Sequence, residues 1–470
     1  MVQPALISSP DAELTVAREA TLAEGHWSIG TLTYSRQGLF ALFSWLLFGD
    51  FAWQMRERAV GATATLLLKS FHASDTLIGL LMSSVPSLLG FLVVPVVCTL
   101  SDAYRSPRGR RIPFLFVPIP VAVAAMVGIA FTPALGQGLR GLMGAHPPSL
   151  SWCQLVVFAI LWTVFEVSAV VTNGMYSALL NDVVPHVLIG RFFGAFRMVS
   201  LAAGIFFNTC LLGHALDHYR VIFIGFGVLY GVGTLTVCLK VKEGQYPPPP
   251  AIDPALRNRR MAGTLDFFRE TFSIPFYRWF YAAMVLSSQC TGGIANVYML
   301  FFAKSLGVSL ALFGRYTALT YVFSFSMSFL LGALADRFHP LRLVFVNIGL
   351  NTIITLIAGA LVRTPGAFAV AYVATGVLNG FMLTVQTPTL QLIFPRSRFG
   401  AFASALGIVS AAAMVVSATV LGALLDATNH NYRIAFLASG AIGILALIVL
   451  SVVYRQFLAM GGPSGYVAPE

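Results

Sequence analysis

Charge is scarce in this sequence. Only 10% of its 470 residues are Asp, Glu, Lys or Arg, against about 25% in a soluble globular protein. So little polar surface cannot keep the outside of the chain in water, so lipid must cover most of it. Lipid offers no hydrogen bonds to the backbone, which leaves helices or a closed barrel as spanning structures. The short alternating segments of a barrel are missing. The apolar runs are instead roughly 20 residues or longer, the length of a spanning helix. Acid is scarcer than base, 18 Asp and Glu against 29 Lys and Arg, a net charge of +11. Positive charge in a membrane protein gathers in its cytoplasmic loops, so no nucleic-acid partner is expected.

Several chemistries are missing too. The five cysteines, Cys98, Cys153, Cys210, Cys238 and Cys290, all lie in apolar runs and fit neither a metal motif nor a disulfide framework. His146, His214, His218 and His430 fall in expected outer loops without ligand spacing. There is no phosphate-binding glycine loop, nucleophile elbow or His-Glu-x-x-His. These absences argue against an ATP-driven pump and against the common hydrolases. The chain is read as a non-enzyme without cofactor or metal.

What is present is a long series of apolar segments. Helices are expected at 38–68, 74–101, 110–133, 152–180, 191–212 and 220–242. A second set is expected at 275–304, 310–335, 341–363, 366–394, 398–424 and 431–457. The domains are then a polar tail (1–37), a six-helix half (38–242), a linker (243–273), a second half (274–457) and a tail (458–470). The first tail is mixed in charge, unlike a cleavable signal, and Ser9-Pro10-Asp11 could start a short helix in it. The linker holds Pro247 to Pro250 and the basic cluster Arg257, Arg259, Arg260. With both termini inside, roughly 19 of the 29 Lys and Arg fall in cytoplasmic segments, the sign required by the positive-inside rule.

The two halves repeat each other. Arg191-Phe-Phe-Gly-Ala-Phe196 opens helix 5 and Arg398-Phe-Gly-Ala-Phe402 opens helix 11. Leu212-Gly-His-Ala-Leu-Asp217 matches Leu421-Gly-Ala-Leu-Leu-Asp426, and Leu100-Ser-Asp102 matches Leu334-Ala-Asp336. Three matched places in one order indicate duplication. Parallel duplicated halves resemble the major facilitator superfamily, whose members bind solute between the halves near the midplane. The resemblance implies an all-α membrane protein of twelve transmembrane helices in two pseudo-symmetric six-helix halves.

Ser101-Asp102-Ala-Tyr-Arg105-Ser-Pro-Arg108-Gly109-Arg110-Arg111-Ile-Pro113 resembles the helix 2–3 signature of the glycoside–pentoside–hexuronide:cation symporters and the related sucrose transporters. Gly49-Asp50-Phe51-Ala52-Trp53-Gln54 and Tyr176-Ser177-Ala178-Leu179 are similar to the same family's helix 1 and helix 4 segments. The resemblance implies a sugar-binding role for Asp50. One departure matters. The helix 2 aspartates that hold sodium in a sodium-coupled member fall on Gly90 and Val94. Neither has a side-chain oxygen for a hard cation.

Charged groups inside apolar helices are costly and usually functional. Six are found: Asp50, Arg56, Glu57, Arg58, Glu166 and Arg197. At 100° per residue Asp50, Gln54, Glu57 and Gly61 share one face of helix 1. Trp53 flanks that face, Arg58 lies at its other edge and Arg56 points away, as a structural ion-pair partner would. Glu166, Asn173 and Ser177 share a face of helix 4, and Arg197 and Asn208 one of helix 5. Glu166 and Arg197 are expected to pair. Gln289 and Asn296 share a face of helix 7 beside Gly292-Gly293, and Asn379 and Gln386 one of helix 10.

Helices 1, 4, 7 and 10 are therefore expected to line a central cavity. Asp50, Trp53, Gln54, Glu57, Asn173, Gln289, Asn296 and Gln386 are expected to face it. Asp50 is the first candidate for proton coupling, then Glu57, then Glu166. Asp102, Arg108, Gly109, Arg110, Asp336, Arg191 and Arg398 are expected to form a cytoplasmic latch. In it, when the cytoplasmic side is closed, Asp102 meets the helix 11 start and Asp336 the helix 5 start, because helix N-termini attract anions. The expected function is proton-coupled or facilitative transport of a small polar solute, a sugar or glycoside, by alternating access. The alternatives are a lysolipid or amphipathic-metabolite carrier and a non-transporting sensor. The expected setting is a bacterial inner membrane, with the protein a monomer.

Overall fold

A computed structural model describes residues 27–29, 31–144, 147–246, 269–293, 295–395 and 398–469, apart from the side chains of 186, 189, 190, 327–337 and 464. The expected helix after Ser9, the linker residues Pro247–Pro250, Arg257, Arg259 and Arg260, and His146 lie outside the described residues.

The protein is helical throughout its membrane part. The first half holds α1 (Arg36–Ser70), α2 (Asp75–Ala103), α3 (Ile112–Ala130), α4 (Leu150–Val183), α5 (Arg191–His214) and α6 (Tyr219–Lys240). The second half holds α7, in two parts (Pro275–Thr291 and Ala295–Ser305), then α8 (Leu310–Arg337) and α9 (Pro340–Leu361). It ends with α10 (Pro365–Ile393), α11 (Phe399–Ala427) and α12 (Arg433–Ala459). Nine of these, all but α1, α7 and α8, are long and apolar enough to cross a membrane, counted among the described residues. The charges in mid-α1 lower its hydropathy, and the break at Gly292-Gly293 divides α7.

Helix starts follow local chemistry. Ser35, Ser149 and Thr364 cap α1, α4 and α10 by accepting from backbone N–H groups three residues on, which satisfies donors that a helix start leaves free. Within the first half α1 packs on α5 and α6, α4 on α2 and α3, and α6 on α3. In the second half α12 packs on α7 and α9, and α10 on α8 and α9.

Two segments differ from the sequence reading. Residues expected as loop after helix 3 form an additional short helix, Thr132–Leu142, packed on α4. The end of the first tail forms an antiparallel hairpin, Trp27–Ile29 with Leu32–Tyr34. Thr31 Oγ1 there accepts from the Gln245 backbone N–H at 2.8 Å, so the hairpin docks on the chain leaving α6.

The halves meet unevenly. One buried apolar cluster contains most of the first half and crosses to Tyr298–Ala303, Phe313, Phe368, Leu421 and Phe436 of the second. These crossing residues lie near the face that carries the α1–α2 loop. The other cluster, from Phe276 to Phe457, contains second-half residues alone and lies toward the opposite face, which carries the α2–α3 loop. The protein is thus sealed at the α1–α2 face.

Glycines make that seal close. A Cβ on Gly422 of α11 would collide with the backbone of Asp75 and Thr76, and one on Gly314 of α8 with the Asn208 carbonyl of α5. Small residues let membrane helices approach this way. Both first-half helices at the seal carry a π-turn, Leu80–Ser84 in α2 and Phe207–Leu211 in α5.

Candidate functional site

Beneath the seal three adjoining chambers of about 360, 430 and 290 Å³ run between the halves. The first is walled by α1, α2, α4 and α7 and contains Trp53, Arg56, Glu57, Glu166 and Asn173. The second shares Glu57, Thr65 and Val297 with the first. The third shares Arg58, Asn296, Thr317, Tyr321 and Tyr372 with the second, and adds Arg197 and Asn379. The cavity is lined by α1, α4, α7 and α10, and also by α2, α5 and α8.

In the first chamber Arg56 is buried, with 3% of its surface exposed. Its guanidinium lies 4.1 Å from the Trp53 ring centroid and donates to Glu57 Oε2 at 2.8 Å. Phe165 and Tyr230 enclose it further. Arg56 was expected to point away from the solute face. Its Cβ direction differs from that of Asp50, but a long side chain can fold across the ring three residues earlier. Glu166 lines the same chamber. Arg197 lines the third chamber instead, so the expected Glu166–Arg197 pair does not form. Two carboxylates, Glu57 and Glu166, face one guanidinium.

At the other end Arg58 donates to the Tyr321 hydroxyl at 2.7 Å, with its guanidinium 4.9 Å from that ring. Arg197 is exposed. The hydroxyls of Thr317 and Tyr372 lie 3.1 Å apart.

Of the residues expected to face the cavity, Trp53, Glu57, Asn173 and Asn296 line it. Asp50 is fully buried outside the three linings; Gln54 Nε2 donates to its Oδ1 at 3.1 Å, and its Oδ2 has no partner among the described residues. Gln54 Oε1 in turn accepts from Ser200 of α5 at 2.9 Å. That chain of side chains ties α1 to α5. Gln289 is buried and accepts from Ser417 of α11 at 3.3 Å. Gln386 is half-buried and outside the linings. Polar membrane residues bonding neighbouring helices account for Gln54 and Gln289. Arg58, Thr317, Tyr321 and Tyr372 were not expected as lining. Hydroxyl groups inside apolar runs raise no flag in hydropathy.

The α2–α3 loop is a compact knot within the first half. Arg111 donates to Asp102 Oδ1 at 2.5 Å and to Asp182 Oδ2 at 3.2 Å. Arg110 makes a bond of 2.9 Å to Asp182 Oδ1. Its guanidinium stacks 4.1 Å from the Tyr246 ring. The Glu243 carboxylate accepts from the backbone N–H groups of Arg110, Arg111 and Ile112 at 2.8, 2.9 and 2.6 Å, so it caps the start of α3. Gly109 turns the loop at φ +100°, and a Cβ there would strike Glu243. Burial, then the Asp182 and Glu243 charges, push the Tyr246 hydroxyl well above tyrosine's usual range.

Arg108 is exposed over the Phe116 ring, Arg191 is exposed, and Arg398 pairs with Glu270 at 3.5 Å. The Asp336 side chain lies outside the described residues. In this conformer Asp102 bonds Arg110 and Arg111 rather than the α11 start.

A helix-capping carboxylate does bridge the halves, at the opposite face. Asp426, ending α11, accepts from the N–H groups of Asp75 and Thr76 and from the Thr76 hydroxyl. Asp75 also meets Lys69 at 2.6 Å and His430 at 2.6 Å, and the Tyr298 hydroxyl donates to its carbonyl at 3.0 Å. Ligand atoms of Asp75, Asp426 and His430 converge within 4.8 Å. Lys69 and the donors of Asp75 and Thr76 already engage the carboxylates of this cluster.

Comparison with known proteins agrees with this architecture. The family model described as Major Facilitator Superfamily matches residues 42–358 and again 281–459. The chain belongs to the Major Facilitator Superfamily. It is an integral multi-pass membrane protein of that superfamily's all-α fold. An uncharacterized MFS-type transporter of Mycobacterium tuberculosis is 31% identical over 118 residues. That match spans 25% of this chain and only 20% of the relative's length.

A bacterial homologue of the iron transporter ferroportin, solved inward-facing, superposes with a TM-score of 0.64 at 16% identity, covering 88% of this chain and 99% of that one. A bacterial homologue of the human lysosomal transporter Spinster gives 0.61 at 16% identity, over 92% and 98%. A D-xylose–proton symporter gives 0.61 at 15% identity, over 88% and 96%. At these identities the superfamily fold is what the structures share.

Proposed function

We propose that this protein is a secondary transporter that carries a small polar solute of sugar size through the three-chambered cavity by alternating access. The observation that supports this reading is a polar cavity between two halves that is sealed at one face alone. Rocking of the halves about bound solute would open the seal and close the other face. With the α2–α3 loop in the cytoplasm, as the Lys and Arg bias requires, the conformer is inward-facing. The chambers are of the size used for small ligands. The apolar groove between α8, α9 and α10, with Leu319, Phe323 and Val370 in its wall, shares no lining residue with the chambers. That separation and the charges of the first chamber favour a polar solute over a lysolipid.

Proton coupling is assigned to Glu57 and Glu166. One guanidinium faces both, and Glu57 holds it at 2.8 Å. The second carboxylate is therefore the one free to take up a proton when solute or conformation changes its surroundings. Asp50, first in line from the sequence, is sealed off beside Gln54.

Purified protein in liposomes tests the reading. Uptake of radiolabelled mono- and disaccharides and their acids should exceed that of empty liposomes and rise with an imposed pH gradient. Absence of uptake or exchange across the whole panel would leave the sensor alternative.

A further inference from the structure

We propose that the third chamber is an anion subsite, so that the solute carries a carboxylate or phosphate held between Arg58 and Arg197. This deepens the transport reading and rests on it for the word solute, though not for the binding site itself. Among the described residues, the lining of this chamber contains two arginines and no Asp or Glu. The neighbouring chamber adds only Glu57, whose carboxylate is engaged by Arg56. Neither Arg58 nor Arg197 has a carboxylate within ion-pair distance among the described residues.

Arg58 comes from α1 and Arg197 from α5, yet both reach the same chamber wall beside Tyr321. Arg58 uses one nitrogen on the Tyr321 hydroxyl, and its buried Nε has no partner among the described residues. Two like charges facing one chamber between membrane-spanning helices repel. Arg56, Arg110 and Arg111 each meet an acid, whereas these two arginines do not. The charge of this lining suits an anion.

Guanidinium groups present planar forks that match the two oxygens of a carboxylate or a phosphate. Around them stand the neutral hydroxyls of Thr317, Tyr321 and Tyr372 and the amide of Asn379, which suit the polar body next to such a group. The cavity is then bipolar. Its first chamber holds two carboxylates against one arginine, and its third holds two arginines against none. A solute with an anionic end has one orientation in such a cavity.

The test needs neither the solute nor transport. Arginine modification by phenylglyoxal is followed by mass spectrometry on the full chain in detergent, in sodium chloride, sodium acetate or sodium phosphate at equal ionic strength. Arg197 is exposed, and Arg220, exposed near the α1–α2 face, is the internal reference. Phosphate or acetate should slow modification of Arg197 about threefold or more once present above its dissociation constant, with Arg220 unchanged. Protection by phosphate alone assigns a phosphate ester, by acetate alone a carboxylate, and by both an accommodating subsite.

Arg58→Gln should remove the protection. Arg58→Lys, which keeps the charge and loses the fork, should weaken it and serves if the glutamine variant does not fold. Equal Arg197 rates in all three salts, or protection that survives both Arg58 variants, would overturn the subsite. Failed uptake with protection intact would instead count against the transport reading.

Discussion

Asp426 accepts two hydrogen bonds from Thr76, one from the backbone N–H at 2.8 Å and one from the hydroxyl at 2.6 Å. The two residues belong to different halves, so the cap exists only while the α1–α2 face is shut. A contact present in one conformer biases the equilibrium toward it. The pseudo-equivalent Asp217, after α5, is exposed, and Ser309 accepts from Leu312 N–H at the α8 start in its place. The seal is therefore electrostatic on one side of the molecule and not on the other.

Asp426→Asn should loosen that seal. The amide keeps one acceptor and loses the charge. Hydrogen bonds to charged groups contribute about 1.5–3 kcal/mol, enough to change the ratio of conformers tenfold or more. A single cysteine at Thr65, a lining position, in a cysteine-free background should react faster with an impermeant maleimide added from the α1–α2 side. An unchanged rate would show that the cap is dispensable.

Gly422→Val should act in the same direction by a different force. Its side chain would meet the Asp75 and Thr76 backbone, which cannot yield as a flexible side chain can. Overpacking of this kind costs about 1–3 kcal/mol, and here it is charged to the sealed conformer alone. Transport should fall and Thr65 labelling should rise. Gly349→Val, where nothing lies within 4 Å of the Cβ, should leave both unchanged.

Glu243→Gln should lower the melting temperature in detergent more than Asp102→Asn does. Glu243 accepts three backbone N–H groups at the start of α3. The Asp102 side chain is 54% exposed, so solvent screens its ion pairs. Loss of the cap is expected to destabilise by about 1–3 kcal/mol, read by thermal unfolding. A larger drop for Asp102→Asn would mean the Arg111 pair carries the loop.

Glu166→Gln and Glu57→Gln should each abolish accumulation driven by a pH gradient while sparing exchange of labelled for unlabelled solute. Asp50→Asn should instead spare pH-driven accumulation, because its carboxylate is enclosed beside Gln54 outside the chambers. Full pH-driven accumulation in both glutamine variants would remove these residues from coupling.

Sodium should not stimulate uptake through α2. Gly90 faces open space and Val94 packs against Gly174 of α4, so the site has no side-chain oxygens. Stimulation by sodium that is lost on substitution at Val94 would contradict this.

The helical membrane fold was legible because hydropathy is a sum over twenty residues and tolerates local error. Parts of the site were legible for the opposite reason, since a single Glu57 or Asn173 stands out in an apolar run. Arg56 was misplaced because a helical wheel gives the direction of a Cβ, not the end of a long side chain. Asp50 shares the angular face of Glu57 but lies nearly two turns along the axis, where Gln54 and Ser200 close around it. Angle was readable there and depth was not. Asp426 was seen as one member of a repeat; that it caps α2 while Asp217 stays exposed is a tertiary fact.

The break in α7 joins these parts mechanically. A Cβ at Gly292 would press on the Asn379 amide, and Asn379 is a chamber wall. Beyond the break the eleven-residue piece Ala295–Ser305 carries Asn296 and Val297 on the cavity and Tyr298 on the Asp75 carbonyl. Consecutive residues on one rigid rod cannot move separately. A solute that draws Asn296 inward must turn Tyr298 with it, as the short arm of a rocker turns the long one. The lock and the keyhole are then one piece of metal.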